Sequence, residues 1–201
     1  MNSWDMRFAS KNYLFGKEPS HFLTERESYF HPGEVALMVA DGEGRNGVYL
    51  AKLGLRVHSV DGSTVALRKA KRLADEVGVQ LVLEQADVTD WTWYENAYDH
   101  VVGVMIQFAD PEARVSLFEN MKNALKPGGH LFLHGYRPEH LPHGIGGPRD
   151  PAYLYTEAML RESFHDFEII ELTTEDREVD DGVAHRGDSA LINLLARKPL
   201  E

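Results

Sequence analysis

The sequence predicts an α/β fold in which a mostly parallel sheet is covered by helices on both faces. Apolar, strand-like runs alternate with helical runs over the first two thirds of the chain. A glycine-rich turn, Asp41–Gly47, lies between the first of these strands and the next helix. Two further strand-like runs follow each other near the C-terminus. Alternating units are typical of parallel sheets, and two consecutive strands most simply form an antiparallel hairpin at one edge.

Residues that start and end helices are easy to recognise in the first 85 residues. Residues 1–17 are irregular, and Pro19 favours a helix start just after them. Ser63 is a good N-cap for a later helix, which Gly78 ends. The elements predicted here are a helix over 19–29, a strand over 35–40, a helix over 45–53, a strand over 56–60, a helix over 63–77 and a strand over 79–84.

The rest of the chain continues the alternation and then changes character. The segment Lys126–Gly129 is a tight turn from helix to strand, and 138–151 is a loop rich in Pro, Gly and His. The acidic run 171–181 is interpreted as a solvated hairpin tip. The predicted elements are a loop or short helix over 87–96, a strand over 98–106, a helix over 110–125, a strand over 130–135, a helix over 156–164 and strands over 167–174 and 190–196.

Composition indicates one soluble domain and excludes several partners. The chain has 201 residues and a formal net charge of -11, which disfavours nucleic acid and anionic membrane surfaces. It contains no cysteine, so it has no disulfide and no thiolate nucleophile. No secretory signal or membrane-length apolar run is visible, and a cytoplasmic location is expected.

The glycine-rich turn predicts a nucleotide-type pocket. Gly42, Gly44 and Gly47 satisfy G-x-G-x-x-G between a strand and a helix, where backbone N–H groups face a ligand. Asp61 ends the next strand and lies 17 residues beyond Gly44, in the position of a ribose-binding acid. The pattern predicts an adenosine-containing cofactor and leaves an NAD(P)-dependent oxidoreductase as one alternative.

Other features weigh against a dinucleotide. Asp87, between apolar residues after the third strand, is suited to accept a hydrogen bond from an adenine amino group. The Lys126–Gly129 turn and the terminal hairpin also favour a different cofactor. The catalytic Tyr-x-x-x-Lys spacing of many dehydrogenases occurs only at Tyr13–Lys17, before the glycine turn.

Together these features resemble class I S-adenosylmethionine-dependent methyltransferases over residues 35–198, with the closest similarity to the tellurite-resistance and thiopurine type. The closer similarity rests on the segments Trp4–Phe8, Tyr13–Pro19 and Gly42–Asn46. The resemblance implies a Rossmann-like sheet of seven strands, an N-terminal lid segment (residues 1–30) and S-adenosylmethionine as cofactor. It implies methyl transfer to a small-molecule acceptor by in-line displacement.

The sequence departs from that family's pattern at two positions. Met38 stands where the family has an acidic residue, and Ala40 stands where it has the first glycine. The family acid helps to hold the methionine ammonium group of the cofactor. Asp41, in the turn, is therefore proposed to take over this role.

The resemblance assigns a role to each cofactor residue. The turn would curve under the methionine and ribose, Asn46 would donate to the carboxylate, and Asp61 would hold the ribose. Gln107 ends the fourth strand and would line the transfer site. The expected cofactor-binding residues are Ala40, Asp41, Gly42, Gly44, Asn46, Asp61, Gly62, Ser63, Ala86, Asp87, Val88 and Gln107.

The acceptor pocket is expected at the carboxyl ends of the later strands. Arg7, Tyr13 and Tyr136 are the candidates for contacting the acceptor, with the 138–150 loop beside them. His140, His143 or His185 could act as a base, whereas a metal site is disfavoured because His140 and His143 lie in a Pro/Gly loop. A non-catalytic cofactor-binding module is the other alternative, and the sequence allows a monomer or a homodimer.

Overall fold

The computed structural model describes residues 3–143 and 146–201; Met1 and Asn2, at the start of the expected lid segment, lie outside the described residues. The strands are β1 (Val35–Val39), β2 (Arg56–Asp61), β3 (Leu81–Gln85), β4 (Tyr98–Val104), β5 (Leu125–Tyr136), β6 (Glu168–Asp181) and β7 (His185–Arg197). The α-helices are α1 (Ser3–Arg7), α2 (His21–Thr24), α3 (Arg45–Lys52), α4 (Thr64–Val77), α5 (Pro111–Ala124) and α6 (Glu157–Ser163). Three 3₁₀ turns cover Glu27–Tyr29, Pro138–His143 and Pro151–Tyr153.

The seven strands form one sheet in the order β3-β2-β1-β4-β5-β7-β6. The first five are mutually parallel, and β7 runs antiparallel to both β5 and β6. The antiparallel strand therefore lies one place in from the edge, and β6 forms the edge itself. This confirms the predicted Rossmann-like fold, with its C-terminal hairpin at one edge. No helix in the described part is long and apolar enough to cross a membrane.

Helices pack on both faces of the sheet. On one face, α5 and α6 bury Phe118, Leu160 and Phe164 against the central strands. On the other face, α2 and α3 contribute Phe22 and Leu50 to a second apolar cluster. This two-sided burial explains why the central strands are apolar at nearly every position rather than at alternate ones.

Several predicted helix ends are confirmed by their caps. The Ser63 hydroxyl accepts a hydrogen bond from the Ala66 N–H, and Gly78 ends α4 in the left-handed region at φ +74°. Asp110 accepts hydrogen bonds from the N–H groups of Glu112 and Ala113 at the start of α5. These side chains satisfy N–H groups that have no partner within the helix.

The helix predicted over residues 19–29 is wrong in its length. It is divided into the four-residue α2 and the 3₁₀ turn Glu27–Tyr29, with Arg26 at φ -118° between them. The Arg26 guanidinium donates to the Phe22 carbonyl and pairs with Glu171 on β6. The break in the helix coincides with this long-range ion pair. A local helical pattern in the sequence contains no information about such a pair.

The hairpin is also longer than predicted. The acidic run 171–181, interpreted as a solvated tip, belongs to β6, which pairs with β7 in register to the Asp181–His185 pair. Within the run, Val179 is buried, and Arg177 forms ion pairs with Glu175 and Glu25. A charged segment forms a strand here because it lies at an exposed sheet edge, where charged side chains also oppose edge-to-edge association.

Candidate functional site

A cavity of about 900 Å³ opens at the carboxyl ends of the strands. The turns after β1, β2 and β3 line one end of it, and the ends of β4 and β5 line the other. The N-terminal segment and the tip of the β6–β7 hairpin complete the wall. Carboxyl-end crevices of this kind are the usual ligand sites of open α/β sheets.

The glycine-rich turn holds unusual backbone angles. Ala40, Gly42 and Gly44 have φ values of +51°, +60° and +86°. Ala40 and Gly42 line the cavity, whereas Gly44 caps α3 and faces α4. A Cβ on Gly44 would lie 2.5 Å from the Cβ of Ala70, so this glycine permits close helix packing. Gly44 therefore supports the site without lining it.

The positive φ of Ala40 is one that glycine adopts without strain, and it leads to a prediction. A non-glycine residue in the left-handed region costs about 1–2 kcal/mol, partly offset by the greater entropy of unfolded glycine. Ala40→Gly is therefore expected to raise the free energy of unfolding by up to about 1 kcal/mol, measured by urea denaturation. Ala51→Gly, inside α3, is the control and should lower it by roughly 1 kcal/mol. A loss of stability in both variants would contradict the prediction.

Asp61 organises the turn. Its two carboxylate oxygens accept hydrogen bonds of 2.8 Å, Oδ2 from the Gly42 N–H and Oδ1 from the Ser63 N–H. Burial raises the pKa of Asp61, while these two N–H groups act in the opposite direction. Asp61 and Gly62 line the cavity, and Ser63 lies behind them, bonded to Asp5 of α1.

Asp41 belongs to the same turn, is half-buried and lines the cavity. Its Oδ2 accepts hydrogen bonds from the Ser59 hydroxyl at 2.7 Å and from the Gly47 N–H at 3.2 Å. Its Oδ1 is buried and has no hydrogen-bond partner among the described residues. Burial raises the pKa of Asp41 to about 7, and the nearby Asp61 carboxylate contributes in the same direction. A cation placed beside Oδ1 would compensate this carboxylate.

The raised pKa predicts that stability depends on pH. An unfolded aspartate titrates near pH 4, so between about pH 4 and 7 the folded protein binds a proton on Asp41 that the unfolded chain does not. That stabilisation is complete below pH 4 and is lost as the pH rises through 7. Asp41→Asn, which stays uncharged, should therefore gain about 2 kcal/mol relative to the parent protein between pH 5 and pH 8. Urea unfolding at both pH values measures this.

Asp87→Asn is the control for that experiment, because Asp87 is exposed and its pKa is lowered by hydrogen bonds from Thr89. Its substitution should not reproduce the gain. An Asp41→Asn effect of equal size at pH 5 and pH 8 would rule out the titration of Asp41 as the cause.

The loop after β3 supplies the far wall of the cavity. Ala86, Asp87 and Val88 all line it. Asp87 Oδ1 accepts hydrogen bonds from the N–H and hydroxyl of Thr89, so this residue starts a turn as well as facing the cavity. The position agrees with the expected adenine pocket.

Asn46 and Gln107 line the cavity with side chains already held in place. Asn46 Oδ1 accepts a hydrogen bond from the Ser20 N–H at 2.9 Å. The Gln107 amide bonds both backbone groups of Tyr136, with Oε1 accepting at 2.6 Å and Nε2 donating at 2.8 Å. Gln107 thereby ties the end of β4 to the end of β5.

The expected acceptor residues separate into two groups. Arg7 and Tyr136 line the cavity, whereas Tyr13 does not. The Tyr13 hydroxyl donates to the carbonyl of Lys69 on α4 at 3.0 Å. Next to it, the buried Glu43 pairs with Lys69 at 2.6 Å and accepts a hydrogen bond from the Leu14 N–H. Tyr13 thus anchors the N-terminal segment to the core.

The hairpin tip meets this N-terminal segment over the cavity. The Leu14 carbonyl accepts hydrogen bonds from the N–H groups of Val183 and Ala184. His185 then lies against Phe15, with ring centroids 4.5 Å apart. Residues from both ends of the chain therefore cover the site.

Several cavity residues were not predicted. Arg45, which is buried, donates to Asp181 at 2.9 Å and lies inside the wall. The only signal for it was its place in the Gly42–Asn46 segment. Met105 and Tyr153 also line the cavity and were not predicted. The other lining residues belong to segments expected at the pocket: Trp4, Phe8 and Phe15 to the N-terminal lid, Phe108 to the end of the fourth strand, and Pro148 and Arg149 to the 138–150 loop.

The histidine-rich loop forms no metal-type cluster in the described part of the chain. His140 and His143 lie in a 3₁₀ turn with ring centroids 5.8 Å apart. His140 stacks on Tyr136 at 3.9 Å, and His134 is buried beneath the other sheet face, stacked on Phe22. Across residues 3–143 and 146–201, no group of three or more His, Asp or Glu side chains is arranged to hold a metal ion.

Part of the core is similar to a known family. Residues 36–129 match the family model described as a methyltransferase domain. Among curated proteins, the chain is 35% identical over 89 residues to the carboxy-S-adenosyl-L-methionine synthase of Aeromonas salmonicida. That alignment covers 42% of this chain and 35% of the relative, so it spans about a third of the relative's length.

Solved structures share the fold at low sequence identity. A structure reported for the conversion of a disulfide bond into a thioacetal group during echinomycin biosynthesis has a TM-score of 0.79 at 19% identity, covering 98% of this chain and 92% of that one. TehB from Haemophilus influenzae has a TM-score of 0.73 at 22% identity, covering 88% of this chain and 61% of that one. These likenesses establish the fold.

Proposed function

We propose that this chain is a class I methyltransferase that binds S-adenosylmethionine and transfers its methyl group to a small-molecule acceptor. The match of residues 36–129 to a methyltransferase domain supports this proposal. The observation that carries the proposal is the pair of carboxylates, Asp61 and Asp87, in the wall of one cavity beside the glycine-rich turn. Asp61 is suited to the ribose hydroxyls and Asp87 to the adenine amino group.

The cavity residues fit the cofactor's methionine end as well. Asp41 Oδ1 is buried without a partner in the described structure, as expected for a group that completes its contacts with a bound cation. Asp41 would therefore hold the ammonium group that the family's usual acid holds, because Met38 cannot do so. The Asn46 side chain lies near the start of α3, where it is suited to donate to a carboxylate.

The bound cofactor supplies a methyl group on a sulfonium centre, which is already activated for displacement. The protein has to align the reactants and exclude water. Gln107 fixes the ends of β4 and β5 around the transfer region through its bonds to Tyr136. Trp4, Phe8 and Phe15 cover the cavity with apolar rings, which keeps water from the reacting atoms.

Ligand binding and turnover together test the proposal. S-adenosylhomocysteine should raise the melting temperature of the pure protein, whereas NAD(P) should not, since only a ligand of the folded state stabilises it. Radiolabelled S-adenosylmethionine should then transfer its label to a member of a small-acceptor library. Binding without any transfer would favour the non-catalytic alternative, and stabilisation by NAD(P) alone would refute the proposal.

The same incubation can be read by mass spectrometry. The curated relative is named as a synthase of carboxy-S-adenosyl-L-methionine, so a product in which the nucleoside itself is modified deserves a direct test. A methylated acceptor together with S-adenosylhomocysteine supports methyl transfer. A carboxylated nucleoside, formed in a parallel incubation that also supplies an organic acid as donor of the carboxyl group, would contradict it.

A further inference from the structure

Cationic side chains concentrate at one end of the cavity in an otherwise acidic protein. Arg7, Arg45 and Arg149 all line the wall, against a formal net charge of -11 for the chain. Arg45 is neutralised by Asp181. Asp150 also lines the cavity, and its Oδ1 accepts a hydrogen bond from the Ala152 N–H, which caps the turn that follows.

Arg7 is exposed and differs in this from the buried, ion-paired Arg45. Its guanidinium lies 4.5 Å from the centroid of the Trp4 ring, and it forms no ion pair with any residue the structure describes. The indole face fixes the group and leaves its N–H donors for a ligand. An arginine held in this way, with no carboxylate beside it, is suited to an anion.

The polar side chain of His185 lies in the same cavity as Arg7. His185 is buried, and its Nδ1 has no hydrogen-bond partner among the described residues. Burial lowers the pKa of His185 to about 4, and the charges of Arg45 and Arg7 act in the same direction. The imidazole is therefore uncharged at neutral pH, and Arg7 provides the unpaired positive charge.

Aromatic rings make up much of the remaining cavity wall. Phe15 and Tyr136 flank His185, with ring centroids 4.5 and 5.7 Å from its own. Phe108 and Tyr153 line the same cavity. Aromatic walls of this kind favour a planar apolar body with few polar groups.

We propose, on the basis of the proposed function, that the acceptor is a small, flat, apolar molecule that carries a carboxylate. Arg7 would hold this carboxylate, and a second polar group of the acceptor would face His185. The aromatic side chains would pack against the apolar part of the acceptor, and the guanidinium of Arg7, which has no ion-pair partner among the described residues, would bind the carboxylate. The same site would bind a neutral analogue of equal shape much less tightly.

Matched ligands test this. The binding of 4-hydroxybenzoate and 4-hydroxybenzamide is measured by calorimetry, with and without saturating S-adenosylhomocysteine. The parent protein should prefer the carboxylate at least about tenfold, a difference typical of one charge-assisted contact. Arg7→Met should reduce the preference to near one, and Arg7→Lys should restore part of it. Arg161→Met, an exposed arginine on α6, is the control and should keep the preference.

Each outcome separates the two proposals. Binding of S-adenosylhomocysteine without any carboxylate preference, or a preference that survives Arg7→Met, overturns the anion site and leaves the cofactor intact. If S-adenosylhomocysteine does not bind, the proposed function fails, and the ligand-free arm still decides whether Arg7 selects the carboxylate. Selenite is an anion without an apolar part. If it binds as tightly as 4-hydroxybenzoate, the proposal that the acceptor is flat and apolar is overturned.

Discussion

Asp61→Ala is expected to weaken the binding of S-adenosylhomocysteine by about 100-fold or more, or roughly 3 kcal/mol. The carboxylate accepts hydrogen bonds from the N–H groups of Gly42 and Ser63, so alanine removes the proposed ribose contact and also releases the glycine-rich turn. Both N–H groups would then lose their partners, and each loss costs about 1–3 kcal/mol if no water replaces it. Calorimetry at a temperature where circular dichroism shows a folded protein gives the affinity.

Two further variants are expected to lose less affinity than Asp61→Ala. Asp61→Asn keeps one acceptor oxygen and should lose less affinity than the alanine variant. Asp87→Ala removes an exposed carboxylate whose hydrogen bonds go to Thr89, and its effect should be about tenfold or less. An Asp61→Ala protein that binds the nucleoside as tightly as the parent would remove the main support for the cofactor site.

Gly44→Ala should have the largest effect on stability. The new Cβ would lie 2.5 Å from Ala70 Cβ and 2.9 Å from Ala70 Cα, with φ at +86°. The left-handed backbone costs about 1–2 kcal/mol, and the displacement of α4 adds about 1–3 kcal/mol. A fall of about 3 kcal/mol or more in the free energy of unfolding is therefore expected by urea denaturation.

Gly78→Ala separates the two causes. Gly78 has a similar φ of +74°, but a Cβ there would have nothing within 4 Å. Its substitution should cost only the backbone part, about 1–2 kcal/mol. Equal losses in the two variants would mean that the contact between α3 and α4 contributes little.

The local parts of the fold could be predicted from sequence. The glycine-rich turn, the Ser63 cap and the alternating strands each depend on residues near one another in the chain. The positions of Asp61 and Asp87 followed from where parallel strands end, because those ends share one edge of the sheet. The sequence therefore located one end of the cavity well.

The other end depends on contacts that sequence patterns do not report. Arg45 meets Asp181 across 136 residues, and His185 enters the wall because β6 and β7 are longer than their apolar runs. Tyr13 was expected at the acceptor, but its hydroxyl donates to a backbone carbonyl on α4. Any residue type presents such a carbonyl, so the sequence gives no sign of the partner.

The hydrogen bonds from Val183 and Ala184 to the Leu14 carbonyl have a consequence during biosynthesis. The turns proposed to face the nucleoside leave the ribosome before the hairpin that covers them, because residues 40–88 precede residues 181–185 in the chain. A nascent chain that ends before residue 181 would lack this wall. Chains that include the hairpin should therefore retain the nucleoside tightly. The nucleoside should protect these chains from proteolysis and leave chains that end before the hairpin unprotected.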